Sequence, residues 1–497
     1  MAKWAQQSSI LAVSAFDVLQ DGRSCRDEMG RVVIFECLFW LLQKLLLRQL
    51  QQSGVRNRYI SFSRTGLQEL MAPQLLHATL KIVDFAVGPG KESSRRYPSE
   101  PFLSQIGTLP NTFWKLDYIQ KMGFTAIWIT PVTKQFPERS GYGEAFHGYW
   151  QQDLYAVEPH LGSADDLRVL SAALHERGMY LMVDVVANHM MYRTFSTPGF
   201  PPLFPTILVG DIPEYLPFRP LLVLAVQNTL VLELTITAVD GLRIDTAKHV
   251  RKPFWKEFNF AAGVYSMGEV YHGDPGYACD YQNYIDGLVN YPIESRHSKV
   301  RKVGKVQTHL TSWLHKSLIL HCQSYTNDLS LAKSVLVFTI LADGIPIVYA
   351  GQEQHYSGGN DPYNREATWL SGYNTESPLF KLTAKANRIR KKAIADDANY
   401  LTYKNYPIYQ DQNTIAMRKG FDGKQIITVL SNLGSGGASY TLQLGGTGYP
   451  AGMRVTDIYT CTSSVVASNG QLPVPMGAGE PRILYPSERL VGSGICV

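Results

Sequence analysis

From about Asn111 the chain alternates between apolar residues spaced three to four apart and short unbroken apolar runs. Phe113-Trp-Lys-Leu-Asp-Tyr-Ile-Gln-Lys-Met122 has the spacing of an amphipathic helix, with Gly123 placed to end it. Phe124-Thr-Ala-Ile-Trp-Ile129 follows as a buried strand. Ser163-Ala-Asp-Asp-Leu167 opens a second helix with an N-cap and two acids in its first turn. Leu167, Leu170 and Leu174 continue one face, Gly178 stops it, and Tyr180–Val186 is the next strand. Gly241–Asp245 and Val264–Val270 are further strand-like runs, and Gly344–Ala350 is a late one. Strand, helix and strand in repetition predict a parallel sheet with helices outside it, and the number of units favours a (β/α)8 TIM-type barrel. After about residue 400, short alternating runs, Asp422-Gly423 and Asn469-Gly470 turns, and glycine-rich breaks predict a separate antiparallel β-sandwich.

Three regions follow: 1–110, which offers no motif; a barrel over 111–398; and a β domain over 399–497. Two stretches interrupt the barrel rhythm. Residues 191–239 are rich in proline and then apolar without an amphipathic period, and residues 294–322 are basic and irregular.

Composition narrows the picture only a little. At 497 residues, 45% hydrophobic and 18% charged, the chain is an ordinary globular protein, and a net charge of +5 does not call for a nucleic-acid partner. Arg31–Leu50 is apolar but interrupted by Glu36, Gln43 and Lys44, short of the roughly 18 apolar residues of a membrane span. Met1–Ser8 does not read as an export signal. Six cysteines do not define a disulfide scaffold. Cys461 and Cys496 lie where a bridge can close the turn-rich C-terminal region, and Cys25, Cys37, Cys279 and Cys322 have no evident pairing.

The chemistry is concentrated at the ends of two strands. Gly241-Leu-Arg-Ile-Asp245 and Val264-Tyr-Ser-Met-Gly-Glu269 each finish on a carboxylate, and the two are about one strand-loop-helix-strand unit apart. If the strands are parallel neighbours, both carboxylates emerge at the end of the sheet where a barrel builds its active site. Two carboxylates about 5–5.5 Å apart make a nucleophile and an acid/base for glycosidic bonds, with retention of configuration.

The motifs around this pair extend the pattern. They are Leu116-Asp-Tyr-Ile-Gln120 through Thr130-Pro-Val132, His147-Gly-Tyr-Trp-Gln-Gln-Asp153, Asp184-Val-Val-Ala-Asn-His189, Gly241 through His249, Gly268-Glu-Val270, and Asp343 through Leu370. In this order they resemble the fungal α-amylases of glycoside hydrolase family 13, over roughly residues 111–190, 240–293 and 324–497. The resemblance implies endo-hydrolysis of α-1,4-glucan of the starch type, with Asp245 as nucleophile, Glu269 as acid/base and Arg243 orienting Asp245. It implies that Tyr149, with Trp150 beside it, stacks on the sugar, and that His147 and His189 bond sugar hydroxyls. Lys248 and His249 are then expected on the leaving-chain side, and Asp361 and Arg365 on the other. It further implies a calcium ion held by the Asn188 side chain and the His249 carbonyl, Asp184 supporting the site, a secreted monomer, and no membrane or nucleic-acid partner.

The departures are equally specific. Family members carry a third catalytic carboxylate in a Glu-Asn-His-Asp motif, which occurs nowhere in this chain; counting back without gaps from Ser324, its Asp and His positions hold Leu318 and Ser317. The expected acidic calcium segment reads Leu216-Pro-Phe-Arg-Pro220, and the first barrel strand is not recognisable. Abrupt changes from match to mismatch are what altered exon boundaries or reading frame produce. The alternatives are a catalytically impaired glucan-binding relative, or a family member such as an α-glucosidase or transglucosylase.

Overall fold

The computed structural model describes residues 78–83, 108–113, 115–138, 144–145, 147–191, 239–294, 327–357 and 365–496. Its main sheet runs through β1 (Leu80–Val83), β2 (Ala126–Ile129), β5 (Tyr180–Val186), β6 (Gly241–Asp245), β7 (Tyr265–Gly268), β8 (Gly287–Leu288) and β9 (Ile347–Val348). All neighbours are parallel, in the order β8-β7-β6-β5-β2-β1-β9. Chain order is thus kept around the sheet, and the last strand returns to the free side of the first, the topology of a TIM-type barrel. The described arc is open only between β8 and β9. Residues 295–326, which lie between them in the chain and include Ser317 and Leu318, fall outside the described residues, as do Arg31–Leu50 and Leu216–Pro220.

The strands alternate as a barrel requires. Leu80, Ala126, Trp128, Met182, Tyr265 and Met267 share one core inside the sheet, whereas Ile127, Ile129, Leu181, Val183, Leu242 and Ile244 pack outward against helices. The outer layer includes α1 (Leu109–Phe113), α2 (Leu116–Lys121), α3 (Ala164–Glu176), α4 (Lys252–Ala262), α5 (Pro275–Cys279), α7 (Leu329–Leu341) and α8 (Pro378–Asp396), and the one-turn α6 (Tyr291–Glu294) follows β8. α3 starts as its sequence demands: Ser163 and Asp166 bond each other's backbone N–H in a reciprocal cap.

Three expectations are corrected. First, the helix expected over 113–122 is two, α1 and α2, separated by Lys115 with non-helical ψ near 1°. The break lets both Leu109 and Leu116 reach the core, while the Leu109 N–H bonds Leu161 O at 2.8 Å. Gly123 does end the pair, at φ +82. Second, the motif-free residues 1–110 supply β1, so the first barrel position is filled; its Lys81 is buried and paired with Glu353 at 2.5 Å. Third, the late strand is only two residues long. Pro346, just before it, has no N–H to give to a ladder and instead accepts from Leu80 N at 2.8 Å.

The C-terminal region is a six-stranded antiparallel sheet, order β10-β11-β12-β17-β14-β15, with a two-stranded ladder β13-β16. These are Tyr406–Gln410, Thr414–Lys419, Ile426–Ser431, Arg482–Pro486, Arg454–Asp457, Thr462–Val465, and then Tyr440–Leu444 with Leu472–Met476. Ala416, Ile427, Val429 and Leu484 face the ladder residues Leu442, Leu444, Leu472 and Val474, as a sandwich does. Their alternates Ile415, Met417, Ile426, Leu430, Ile483 and Tyr485 instead join the barrel's outer core. Polar ties join the same surfaces. Lys333 on α7 reaches Glu480 at 2.6 Å, Tyr485 OH donates to Asp396 at 2.6 Å, and Asp328, which caps α7, accepts from Ser435 N at 2.8 Å. Cys461 and Cys496 are joined as a disulfide, and Cys279 is a free, exposed thiol. Two further short strands, β3 (Thr133–Gln135) and β4 (Gln151–Val157), form an antiparallel pair beside the barrel mouth.

Candidate active site

Register brings the charged residues together. Asp184 on β5 is level with Arg243 on β6, and Val186 with Asp245. The strand period of two puts Asp184, Arg243 and Asp245 on the luminal side, opposite Leu242 and Ile244. Glu269 lies one residue beyond β7, and its N–H still bonds Ile244 O at 2.8 Å, which extends the ladder by one rung. The glycine before it lets neighbouring side chains pack closely. A Cβ at Gly268 would come within 2.8 Å of Ile285 Cδ1 and 3.3 Å of Ala247 Cβ.

One guanidinium organises the site. Arg243 Nη1 donates to Asp245 Oδ1 at 2.8 Å and to both Asp184 oxygens at 3.0 Å, while Nη2 donates to Glu269 Oε2 at 2.7 Å. Arg243, Asp184 and Asp245 are all buried, so each charge depends on its partners. Thr246 N donates a second bond to Glu269 Oε2 at 3.0 Å. It does so from a left-handed backbone, φ +48, which is strained for a β-branched residue and directly follows Asp245.

Burial pushes the Asp184 carboxyl up to about 7, against the pull of Arg243. Burial also raises Asp245; Arg243 opposes this, and the nearby Glu269 charge adds to it. For Glu269 burial again acts upward, but Arg243, the Thr246 N–H and a bond with Asp245 outweigh it and leave the carboxyl below its ordinary value. The two neighbouring carboxyls are thus driven apart, Asp245 upward and Glu269 downward, and each feels the other's charge.

The remaining expected residues ring this centre. Tyr149 OH donates to Asp184 Oδ2 at 3.0 Å, and the Arg365 guanidinium lies over the Tyr149 ring at 6.0 Å. His147 accepts from Tyr149 N at 2.9 Å and meets Trp150 edge-on at 4.5 Å. His189 uses one ring nitrogen on Tyr149 O at 2.9 Å and the other on the Asn188 side chain at 3.3 Å. Lys248 donates to Tyr271 O at 2.8 Å, and His249 is exposed. Among the described residues Asn188 Oδ1 is buried with no hydrogen-bond partner. Asp361 lies outside the described residues.

Sequence reasoning missed Trp128, Thr246, Tyr271 and Tyr291. Trp128 Nε1 donates to Asp184 at 3.3 Å, and Tyr291 OH donates to Glu269 Oε1 at 3.2 Å. Both were within reach of a simple signal. Trp128 alternates with Ile127 and Ile129, and Tyr291 follows the next barrel strand after the one that carries Glu269.

Comparison with known proteins gives one answer across the chain. Residues 85–197 match the α-amylase catalytic domain and residues 407–497 match α-amylase domain C. α-Amylase 2 of Schwanniomyces occidentalis is 41% identical over 78% of this chain and 86% of its own length. α-Amylase 1 of Lipomyces kononenkoae is 46% identical over 77% of this chain and 68% of its own. The solved structure of an α-amylase from Malbranchea cinnamomea superposes with a TM-score of 0.71 at 37% identity, over 85% of this chain and 99% of that one.

Proposed function

The chain belongs to the α-amylase family, and from that premise we propose that it hydrolyses internal α-1,4 linkages of starch-type glucan through Asp245 and Glu269. The observation that carries this reading is the shared guanidinium: Arg243 holds both carboxylates at 2.8 and 2.7 Å on the ends of adjacent parallel strands. Retention asks for two carboxyls about 5–5.5 Å apart, and two adjacent strand ends tied to one guanidinium are suited to hold such a pair. In this reading Asp245 attacks the anomeric carbon and Glu269 passes a proton to the leaving oxygen. Glu269 then takes a proton from the water that opens the β-linked glycosyl-enzyme. The productive state needs a proton on Glu269, and displacing Arg243 Nη2 from it would favour that form, because Nη2 favours the ionised one.

Calcium belongs to this proposal. Asn188 Oδ1, buried and unpartnered, fits an oxygen-seeking cation, and the His249 carbonyl is its expected companion. Bound there, the ion would brace the segment that carries His189 structurally. The disulfide supports an oxidising, extracellular setting, and among the described residues no helix is long and apolar enough to cross a membrane.

Reducing-sugar release from soluble starch, with calcium added and an Asp245→Asn control, tests the reading. Activity that falls about 10⁴-fold or more in the control supports it. Folded protein without activity favours the second reading, a glucan binder without turnover, whose specific support is the missing Glu-Asn-His-Asp motif. Retention on a starch column would then separate a binder from an inert fold.

A further inference from the structure

The hydrogen bonds of Glu269 are divided unequally between its two oxygens. Oε2 accepts from Arg243 Nη2 at 2.7 Å and from Thr246 N at 3.0 Å. Both partners are N–H donors that have nothing to accept with. A proton on Glu269 that is not shared with the Asp245 carboxyl therefore resides on Oε1, where the Tyr291 hydroxyl stands at 3.2 Å. A phenol can donate to that oxygen when it is ionised and accept from it when it is protonated.

The tyrosine is held in place. Its N–H bonds Val289 O at 3.0 Å at the end of β8, and Pro292 follows it. Its ring meets that of Tyr271 at 4.9 Å and 79°. Tyr271 is 65% exposed, and its carbonyl accepts from Lys248. The phenol is thus wedged between Glu269 and the side where the leaving chain is expected.

We propose that Tyr291 is a positioning residue for the acid/base, holding Glu269 Oε1 in line with the leaving oxygen and setting how tightly that oxygen keeps its proton. The proposal rests on the reading of Glu269 as acid/base. The bond to Tyr291 is among the interactions that favour the ionised form of Glu269, so losing it raises that group's proton affinity.

Tyr291→Phe keeps the ring and its packing on Tyr271 while removing the hydroxyl. The high-pH limb of kcat/KM on soluble starch, which reports the acid in the free enzyme, should move up by about one pH unit. Turnover of starch should fall roughly tenfold, while an aryl maltooligosaccharide with a nitrophenolate leaving group, which needs little acid assistance, should lose about twofold or less. A readout free of turnover accompanies these. Carbodiimide couples to the protonated carboxyl, so the pH midpoint of Glu269 labelling, read by peptide mass spectrometry, should rise in the variant. Native chain that is inactive on starch overturns the functional reading and leaves the labelling midpoint to decide the tyrosine's part. An unchanged midpoint and an unshifted limb overturn the proposal, as does an equal loss on both substrates.

Discussion

Strands β5 and β6 of the barrel and β11 and β12 of the C-terminal domain are all deeply buried, yet they use that burial in opposite ways. β11 and β12 have apolar cores on both sides, one against the two-stranded ladder and one against the barrel helices. β5 and β6 are apolar outward, whereas inward, beyond Met182, they carry Asp184, Arg243 and Asp245. The first arrangement gains stability from area removed from water. The second costs desolvation, offset only because one guanidinium serves three carboxylates. The difference shows where the chain spends stability for chemistry: at the end of a parallel sheet, where adjacent strands bring unlike charges into register.

Three perturbations, from the largest expected effect to the smallest, break or sharpen that contrast. Arg243→Leu leaves Asp184, Asp245 and Glu269 facing one another without a counter-charge. It should cost about 3–5 kcal/mol in urea unfolding and abolish starch hydrolysis. Stability within about 1 kcal/mol of native would mean that the carboxylates are neutral or hydrated and the network is not what holds them. Leu444→Ala, fully buried in the sandwich, should cost about 2–5 kcal/mol but leave kcat/KM per folded molecule unchanged. A change in kcat/KM there would couple the C-terminal domain to catalysis.

The third concerns pH. The folded carboxyl of Asp184, at about 7, lies above its ordinary value of 3.8, so the folded state holds that proton more tightly. Its contribution is therefore full below about 4 and is lost as pH rises through 7. Glu269 has the opposite sign: its lowered carboxyl contributes stability above its ordinary range, lost as pH falls. Asp184→Asn should flatten the decline of melting temperature between pH 4 and 7. An identical slope in the variant would show that Asp184 stays ionised throughout and that Arg243 outweighs burial.

Much of this was legible in the chain before folding. Tyr180–Val186 and Gly241–Asp245 were readable to the residue, because a strand buried against helices writes an unbroken apolar run with its charges at fixed alternation. The helix 164–176 was readable from its cap. Asp245 and Glu269 stood out because both runs end on a carboxylate. By contrast, β1 carries no motif: Leu80-Lys-Ile-Val83 contains a lysine that becomes intelligible only once Glu353, far away in sequence, is seen to neutralise it. The break at Lys115 was hidden because local spacing fits one helix as well as two.

The sequence by itself determined most of the order of strands and helices, the all-β texture after residue 400, and the pair of carboxylates that close adjacent strand runs. Local periodicity and side-chain chemistry are properties of neighbouring residues, and they survive in one dimension. Only the tertiary structure decided that Arg243 grips both Asp245 and Glu269, that their surroundings push Asp245 up and hold Glu269 down, and that Tyr291 reaches Oε1. Those facts depend on sheet register and burial, and no residue carries either of them alone.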